Sequence, residues 1–258
     1  MRVLIVGGSG RLSGRLYQYL EESGCEVFVA GRNRSNTLCD NRVDKVNFID
    51  YRNLGAILNK NVFDVVIHAF GLNAGDCTKD PVKAINTNVL ETQRILDFCN
   101  SSNVKRIIYL STIHVYDERL SGSISEVSCI NNPHPYAASK RFAEQLVLFA
   151  GKNKGISVSV IRLANCFGTP FFDSGPISKA LVFDDFINNG IISGEIVLTG
   201  PSSSSRDYIS IKSMCERVYR VVTGGHNGIY NLASGISLSS LDVAKMCKRA
   251  LLQYLDIE

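Results

Sequence analysis

Short runs of β-branched residues alternate with longer segments of helical periodicity through the first two thirds of this chain. The predicted strands cover residues 3–6, 26–30, 46–49, 62–68, 106–110 and 157–162, and the predicted helices cover residues 11–23, 53–59, 81–101 and 136–153. The strand runs are mostly apolar, which is typical of strands buried on both faces. Because strands separated by helical crossovers form βαβ units, the sequence predicts an α/β protein with a doubly wound parallel sheet.

The pattern becomes less regular after residue 168. Two prolines bracket a turn-rich segment, and four serines at residues 202–205 predict a mobile loop. A last helix with a serine cap is predicted over residues 237–255. We therefore expect a large α/β domain over residues 1–168, to which the chain later returns, and a smaller irregular lobe over residues 169–258.

Composition, charge and cysteine spacing bear on the partners and the compartment of the protein. The chain has 28 Lys and Arg against 24 Asp and Glu, a net charge of +4, which indicates neither a nucleic-acid nor a membrane partner. No apolar run approaches the roughly twenty residues of a membrane span, and no secretory signal precedes the first strand. The 8 cysteines include no CxxC pair and no Cys–His cluster with metal-ligand spacing. We expect reduced thiols, a cytoplasmic protein and no metal site.

A glycine-rich turn, Gly-Gly-Ser-Gly at residues 7–10, joins the first predicted strand to the first predicted helix. Such a turn needs glycine where the backbone approaches a pyrophosphate, whose charge then meets the helix N-terminus. Ser13 takes the third position of the G-x-x-G-x-x-G spacing, where a small residue still permits close packing. A plain tight turn is the alternative, but the strand–turn–helix context favours a dinucleotide site. Its predicted contacts are Gly7, Ser9, Gly10, Arg11 and Leu12.

The end of the second predicted strand bears on the choice of dinucleotide. A carboxylate there would bind the ribose 2′-hydroxyl of NAD, but the sequence is Gly-Arg-Asn-Arg at residues 31–34. A guanidinium can hold a 2′-phosphate in a bidentate pair, so Arg32 and Arg34 predict NADP rather than NAD. Two arginines that merely face solvent are the alternative. Asp50, with Tyr51, is predicted to meet the adenine edge, although Asp50 could equally cap the helix that follows.

Tyr136 and Lys140 are four residues apart on a predicted helix and share one face. A nearby ammonium favours the phenolate and lowers the tyrosine pKa from about 10 towards a range useful for acid–base catalysis. A surface tyrosine beside a lysine is the alternative. The nucleotide turn upstream, and Ser111 and Thr112 at the end of the fifth predicted strand, make chance a poor explanation.

These residues together resemble the extended short-chain dehydrogenase/reductase family, and within it the nucleotide-sugar epimerases, dehydratases and reductases. The resemblance runs from residue 1 to about residue 252. Its further landmarks are His-Ala-Phe-Gly at 68–71, Asn-Val-Leu-Glu-Thr at 88–92, Ser-Thr-Ile-His-Val-Tyr at 111–116, Arg-Leu-Ala-Asn-Cys-Phe-Gly at 162–168, Arg-Asp-Tyr at 206–208 and Tyr-Asn-Leu-Ala-Ser-Gly at 230–235. The resemblance implies a Rossmann fold, a nicotinamide cofactor and hydride transfer at a sugar carbon.

The resemblance also implies roles for individual residues. Thr112 would hydrogen-bond the reacting sugar oxygen, Tyr136 would exchange the proton, and Lys140 would orient the nicotinamide ribose. Asn165 would meet the diphosphate region of the substrate, and Arg206 would bind its phosphates. Further cofactor contacts are implied for Ala69, Phe70, Gly71 and Asn88.

The chain departs from the family pattern directly after the catalytic threonine. Dehydratases carry Asp-Glu there, for proton abstraction and loss of water, whereas this chain has Ile113 and His114. Dehydration is therefore not expected. Alternation along the strand would place Thr112, His114 and Tyr116 on one face, which predicts His114 as a second acid–base. A hydrogen-bonded histidine in the pocket wall is the alternative.

We expect an NADP-dependent ketoreductase or epimerase of a nucleotide-linked sugar. A cofactor-binding regulator or RNA-associated protein without turnover is the alternative, which the presence of both Tyr136 and Lys140 disfavours. The helices around residues 88–100 and 136–150 are apolar on more than one face. Related enzymes pair these helices in a two-fold bundle, so a homodimer is expected, with coverage of this surface within one chain as the alternative. Family members usually continue past the last helix, so this chain is either naturally short or a fragment.

Overall fold

A sheet of seven parallel strands forms the body of the computed structural model, which describes residues 1–8, 10–32, 46–57, 63–171, 181–198, 200, 202 and 204–255. In chain order the strands are β1 (Arg2–Val6), β2 (Glu26–Gly31), β3 (Asn47–Asp50), β4 (Val65–His68), β5 (Arg106–Thr112), β6 (Ser157–Leu163), β7 (Asn165–Phe167), β8 (Ser205–Ser210), β9 (Gly228–Leu232) and β10 (Ser237–Ser239). The large sheet has the order β3-β2-β1-β4-β5-β6-β9. The direction of strand order reverses between β1 and β4, where open parallel sheets bind ligands at the carboxyl ends of their strands.

Helices cover both faces of this sheet. They are α1 (Arg11–Glu22), α2 (Ala74–Lys79), α3 (Pro81–Ile85), α4 (Glu91–Ser101), α5 (Pro135–Lys154), α6 (Val182–Ser193), α7 (Ile211–Gly224) and α8 (Ser240–Tyr254). Alternate residues of β1 enter two separate cores: Val3 and Ile5 pack with residues of α1 and α7, and Leu4 and Val6 pack with residues of α4 and α5. The predicted α/β fold with a doubly wound parallel sheet is confirmed. Among the described helices, none combines the length and apolar character needed to cross a bilayer.

The rest of the chain builds a smaller three-stranded sheet, in which β8 pairs with β7 in parallel and with β10 in antiparallel fashion. This sheet shares a third core with α6 and α8, formed around Phe186, Tyr208 and Val243. Between these elements the chain returns to the large sheet, because α7 contacts α1 and β9 pairs with β6.

The structure corrects several predicted boundaries. The helix predicted over residues 81–101 is confirmed as one continuous helical run, in which a π-helical turn (Asn86–Leu90) joins α3 to α4. The helix predicted over residues 53–59 is a 3-10 segment (Tyr51–Ile57) as far as the described residues extend. The helix predicted over residues 237–255 begins only at Ser240, because Ser239 and Asp242 cap each other's backbone and end the preceding strand β10. Ser205, predicted in a loop, belongs to β8.

Candidate active site

The glycine turn after β1 lies against the loop that follows β4. Gly7 has φ +96°, and a Cβ there would lie 2.6 Å from the backbone nitrogen of Phe70. A Cβ on Gly8 would overlap the side chain of Val29 at 1.8 Å. Gly7 therefore requires glycine for conformation and for space, and Gly8 requires it for space. The backbone N–H groups of Gly7 and Gly8 both donate to the carbonyl of Ala30, at 2.9 and 3.1 Å.

Helix α1 begins directly after this turn and has no side-chain cap. Gly10 occupies the N-cap position and offers no side chain to the first-turn N–H groups, and that turn holds no acidic residue. Uncapped N–H groups and the positive end of the helix dipole suit a diphosphate. The turn therefore fits the dinucleotide predicted for it. Ser9, the remaining predicted contact of the turn, lies outside the described residues.

The side chain of Arg11 contacts helix α6 and the chain just after β7, so it is not free at the glycine turn. Its guanidinium forms an ion pair with Asp184 of α6 and donates from Nη1 to the carbonyl of Gly168 at 3.0 Å. Leu12 packs against the core beneath α1. The Arg11 side chain thus ties the glycine turn to α6, and the predicted cofactor contacts of Arg11 and Leu12 would have to come from their backbone.

Three side chains stack at the carboxyl ends of β2, β3 and β4. The Tyr51 and Phe70 rings are nearly parallel, with centroids 5.4 Å apart, and the guanidinium carbon of Arg32 lies 5.7 Å from the Phe70 centroid. The Tyr51 hydroxyl donates to Glu91 of α4 at 2.5 Å. Arg32 is exposed beside this stack, where a group beyond the end of β2 could reach it. Arg34, predicted as its helper, lies outside the described residues.

The Asp50 carboxylate is hydrogen-bonded by a residue that follows it closely in sequence. Its carboxylate accepts the backbone N–H of Arg52 at 2.9 Å and the Arg52 guanidinium at 2.6 Å. These hydrogen bonds hold the pKa of Asp50 below its usual range. This arrangement favours the capping alternative over a contact with adenine, because the carboxylate starts the 3-10 segment that follows β3.

Asn88 sits in the π-helical turn and uses its amide within the protein. Its Oδ1 accepts the backbone N–H of Leu72 at 2.7 Å, and its Nδ2 donates to the Ser139 hydroxyl at 2.9 Å. A Cβ on Gly71 would lie 3.2 Å from the Asn88 Oδ1. Asn88, predicted as a cofactor contact, therefore positions the loop after β4 against α5. Ala69 and Gly71, also predicted contacts, belong to that loop.

His68 holds the same loop from below. Its Nδ1 accepts the backbone N–H of Phe70 at 3.3 Å, and its Nε2 lies 2.8 Å from the hydroxyl of Thr92. Because Thr92 donates its own proton to the carbonyl of Asn88, the histidine donates from Nε2. Burial lowers the pKa of His68 well below its usual value, as this neutral tautomer requires.

Thr112, Tyr136 and Lys140 meet at the end of β5. Tyr136 lies in the first turn of α5 and hydrogen-bonds the hydroxyl of Thr112, the last residue of β5. The Lys140 Nζ donates to the carbonyl of Leu110 at 2.8 Å. His134 caps α5 by accepting the backbone N–H of Tyr136 at 3.1 Å. The predicted catalytic group is thus assembled from one strand end and one helix start.

The protonation of this group differs from the sequence-based expectation. Burial raises the pKa of Tyr136, and the lowering influence comes from the hydrogen bond with Thr112. Burial also lowers the pKa of Lys140 to about 7, against the opposing influence of Glu144. The predicted lowering of the tyrosine pKa by Lys140 is therefore wrong for the protein without cofactor. Tyr136 is a neutral phenol at neutral pH, ready to donate a proton.

His114 faces the same group, but not for the predicted reason. Strand β5 ends at Thr112, and His114 lies in a 3-10 turn (Ile113–Val115), so strand alternation does not extend to it. Its ring centroid is 6.2 Å from that of Tyr136. Burial and the charge of Arg206 lower the pKa of His114, whereas a hydrogen bond with Asn165 raises it. The structure thus brings His114, Asn165 and Arg206 together beside Tyr136.

A buried charged network behind the catalytic group was missed by the sequence analysis. Arg162 Nη2 lies 2.8 Å from Glu144 Oε2, and these side chains are 1% and 0% exposed. Glu144 also accepts the Ser111 hydroxyl at 2.5 Å, and Arg162 donates to the Tyr116 hydroxyl at 3.1 Å. Tyr116 is thereby held behind the site. One signal was available: Glu144 follows Lys140 by four residues and shares the helix face of the Tyr–Lys pair.

Solved structures share this fold. The chain aligns with UDP-glucose 4-epimerase from Thermotoga maritima at a TM-score of 0.86 and 22% identity, over 96% of this chain and 82% of that one. It aligns with the Thermus thermophilus UDP-glucose 4-epimerase complex with NAD at a TM-score of 0.79 and 23% identity, over 97% and 83%. Identities this low establish the shared fold alone.

Sequence relatives and a family profile extend the comparison. A dTDP-D-glucose 4,6-dehydratase from Dictyostelium discoideum is 28% identical over 269 residues, which cover 95% of this chain and 61% of the relative's length. Since this relative is a dehydratase, the expectation that dehydration is absent is not confirmed. The profile described as the NAD dependent epimerase/dehydratase family matches residues 3–233. The chain therefore belongs to the NAD-dependent epimerase/dehydratase family.

Proposed function

We propose that the chain is an NAD(P)-dependent enzyme that epimerises or reduces a sugar linked to a nucleoside diphosphate. The observation that carries this proposal is the hydrogen bond between Thr112 and Tyr136 beside the buried Lys140, at the carboxyl end of β5. The nucleotide turn opens at the same edge of the sheet, because β1 and β5 both flank β4. Cofactor and substrate would therefore meet at one tyrosine.

A bound nicotinamide dinucleotide would supply the hydride acceptor or donor. The uncapped start of α1 would hold its diphosphate, the loop of residues 69–71 would line its path, and Lys140 would hold the nicotinamide ribose. Tyr136 would give its phenolic proton to the sugar oxygen in a reduction, and would take that proton back in an oxidation. Thr112 would hold the same oxygen and favour the charged form of Tyr136 through its hydrogen bond.

The opposite side of the site would bind the substrate's phosphates. Arg206 is exposed, and its charge reaches His114 closely enough to lower the pKa of that histidine. The amide of Asn165 donates from Nδ2 to the carbonyl of Asp207 at 3.3 Å, which fixes it beside Arg206. A guanidinium with a neighbouring amide suits a diphosphate. We therefore propose that a nucleoside-diphosphate sugar enters between Arg206 and Tyr136.

A panel of UDP- and dTDP-linked sugars, incubated with the protein and NAD or NADP in either redox state, tests this function. Proton NMR of the products and the nicotinamide absorbance distinguish the reactions. Sugar isomers without net cofactor consumption indicate an epimerase, and stoichiometric cofactor oxidation indicates a ketoreductase. Loss of water would replace the proposal with a dehydratase. Cofactor binding without turnover of any sugar would favour the regulatory alternative.

We further propose that Arg32 gives the site a preference for NADP, since its guanidinium is exposed beside Phe70 beyond the end of β2. Arg32→Ala should weaken NADPH binding about tenfold or more and leave NADH nearly unchanged, because only NADPH carries a 2′-phosphate to lose. Titration of nicotinamide fluorescence measures both affinities. Arg52→Ala removes a nearby arginine that pairs with Asp50 and serves as the matched control. A wild-type preference for NADH would exclude this proposal.

His114 is proposed as a second acid–base, because it is neutral near pH 7 and lies beside Tyr136. His114→Gln should bind the dinucleotide normally but lose about a hundredfold in solvent-deuterium incorporation into the sugar, whereas ketone reduction through Tyr136 survives. Mass spectrometry of products formed in heavy water measures the exchange. The exposed His226, replaced by Gln, serves as control. Undiminished exchange in His114→Gln would leave the histidine as part of the pocket wall.

We also propose a homodimer through α4 and α5. Phe142 and Phe149 of α5 are 56% and 68% exposed, and Leu90 before α4 is 53% exposed. Phe142→Asp combined with Phe149→Asp should convert the dimer to a monomer, because both charges would be buried in the interface. Light scattering after size-exclusion chromatography measures the mass. Ile192→Asp, at an exposed position of α6, should leave the mass unchanged. A monomeric wild type at micromolar concentration would contradict the proposal.

A further inference from the structure

The ammonium of Lys140 rests on an aromatic ring. Lys140 is 5% exposed, and its Nζ lies 4.2 Å from the ring centroid of Tyr109 on β5. The Nζ also donates to the carbonyl of Leu110, the next residue of that strand. Among the described residues, no carboxylate lies within ion-pairing distance of Lys140, because Glu144 is paired with Arg162 and Ser111. A ring face and one carbonyl are therefore the close partners of this buried charge.

The other groups around Lys140 act from further away. Glu144 on α5 and Cys77 on α2 favour the charged lysine, whereas burial opposes it. Burial and the charge of Lys140 both lower the pKa of His68 on β4 and keep that histidine neutral. Tyr136, one turn earlier on α5, remains a neutral phenol. None of these groups replaces a direct contact with the ammonium.

Tyr109 is placed so that its ring meets the ammonium face-on. It is 0% exposed, and in the register of the sheet it pairs with His68, whose ring centroid lies 4.9 Å from its own. The Tyr109 hydroxyl makes no hydrogen bond with the described residues. A buried hydroxyl without a hydrogen-bond partner costs free energy. Hydrogen bonding therefore does not explain why a tyrosine occupies this position. The ring packs in the core shared with α4 and α5 and against His68, and the charged group that it contacts is the Lys140 ammonium.

We propose that Tyr109 is a positioning residue whose ring holds the charged side chain of Lys140 at the end of β5. A cation within about 6 Å of a ring centroid is attracted by the electrons of the ring face, and more strongly where water is excluded. This contact, with the Leu110 carbonyl, fixes Lys140 beneath Tyr136 before any cofactor binds. The Leu110 carbonyl accepts one of the three N–H donors of the ammonium, which leaves two for other partners.

The test is a pH titration of Lys140 in the full chain without cofactor. Protein labelled with ¹³C-lysine reports each lysine by NMR, and the signal missing in Lys140→Arg identifies Lys140. We expect a wild-type midpoint near neutrality. Tyr109→Phe retains the ring and should keep this midpoint, whereas Tyr109→Leu should lower it by about one pH unit, because the charged form loses its aromatic partner. Should Tyr109→Leu not fold, Tyr109→Met provides the same comparison.

A core aromatic distant from Lys140 provides the control. Phe63 is also 0% exposed, and Phe63→Leu should destabilise the fold without moving the Lys140 midpoint. An unchanged midpoint in the ring-deleted variant, or an equal fall in Tyr109→Phe, would overturn the proposal and leave Tyr109 as a packing residue. The titration requires no substrate, so it stands or fails separately from the proposed function. The role of Lys140 in holding a cofactor rests on the proposed function, whereas the contact between Tyr109 and Lys140 does not.

Discussion

Tyr136→Phe is expected to lower turnover of the nucleotide sugar by about a thousandfold, with dinucleotide affinity within threefold of the wild type. The substitution removes one oxygen atom and retains the ring beside His114. That oxygen is the group hydrogen-bonded by Thr112 and the proton donor that burial keeps protonated at neutral pH. Binding contacts are retained in the variant, so the loss should appear in kcat rather than in KM.

Steady-state rates with the best substrate of the panel, together with dinucleotide titrations, measure this effect. Tyr230→Phe is the matched control, since the Tyr230 hydroxyl donates to the carbonyl of Asn227, outside the catalytic group. The control should keep nearly full activity. Turnover in Tyr136→Phe within tenfold of the wild type would assign the proton transfer to another group of the site, such as His114.

The predictable part of this site consists of features that short-range sterics and helix periodicity impose. Gly7 is required because its φ is positive and Phe70 leaves no room for a Cβ, and this demand is visible wherever glycines cluster between a strand and a helix. Tyr136 and Lys140 share a face because α5 is a regular helix over both residues. The Tyr136–Lys140 pairing depends only on local helix geometry, whereas the crowding at Gly7 also involves Phe70, a residue distant in sequence.

The parts that were not predictable depend on contacts between distant residues. Arg11 was expected at the cofactor, but its guanidinium pairs with Asp184, which is 173 residues away in sequence. Asn88 was expected at the cofactor, but a π-helical turn directs its amide to Leu72 and Ser139. An arginine or asparagine near a binding motif has several possible partners, and only the fold selects among them.

The smaller sheet illustrates a second limit. Strand β8 carries Ser205 and Arg206 exposed and only Tyr208 and Ile209 buried, so its hydrophobic pattern is short. Pairing with β7 and β10 stabilises β8 as a strand, which its own sequence pattern does not predict. Arg206 was placed in the site by its resemblance to a family residue. The structure adds that β8 pairs with β7, where Asn165 lies opposite Tyr208 and donates to the carbonyl of Asp207, the residue after Arg206.

Arg162→Met is expected to destabilise the fold by about 3–5 kcal/mol, the largest stability effect among these predictions. Glu144 would then remain buried without its ion-pair partner, and the Tyr116 hydroxyl would lose the guanidinium that donates to it, while Ser111 would still donate to the unpaired carboxylate. Urea denaturation followed by circular dichroism measures the free energy of unfolding. Glu26→Gln, which breaks an exposed pair with Arg2, should cost less than about 1 kcal/mol.

The double variant Glu144→Gln with Arg162→Met separates the ion pair from the packing around it. If an unpaired buried charge causes the loss, neutralising Glu144 should restore at least 1 kcal/mol relative to Arg162→Met alone. The arrangement of Ser111 around Glu144 explains why the site depends on this pair, because Ser111 directly precedes Thr112 on β5. An additive loss in the double variant would show instead that Glu144 and Arg162 stabilise the fold independently, and that the charge buried behind Thr112 is not what holds β5 in place.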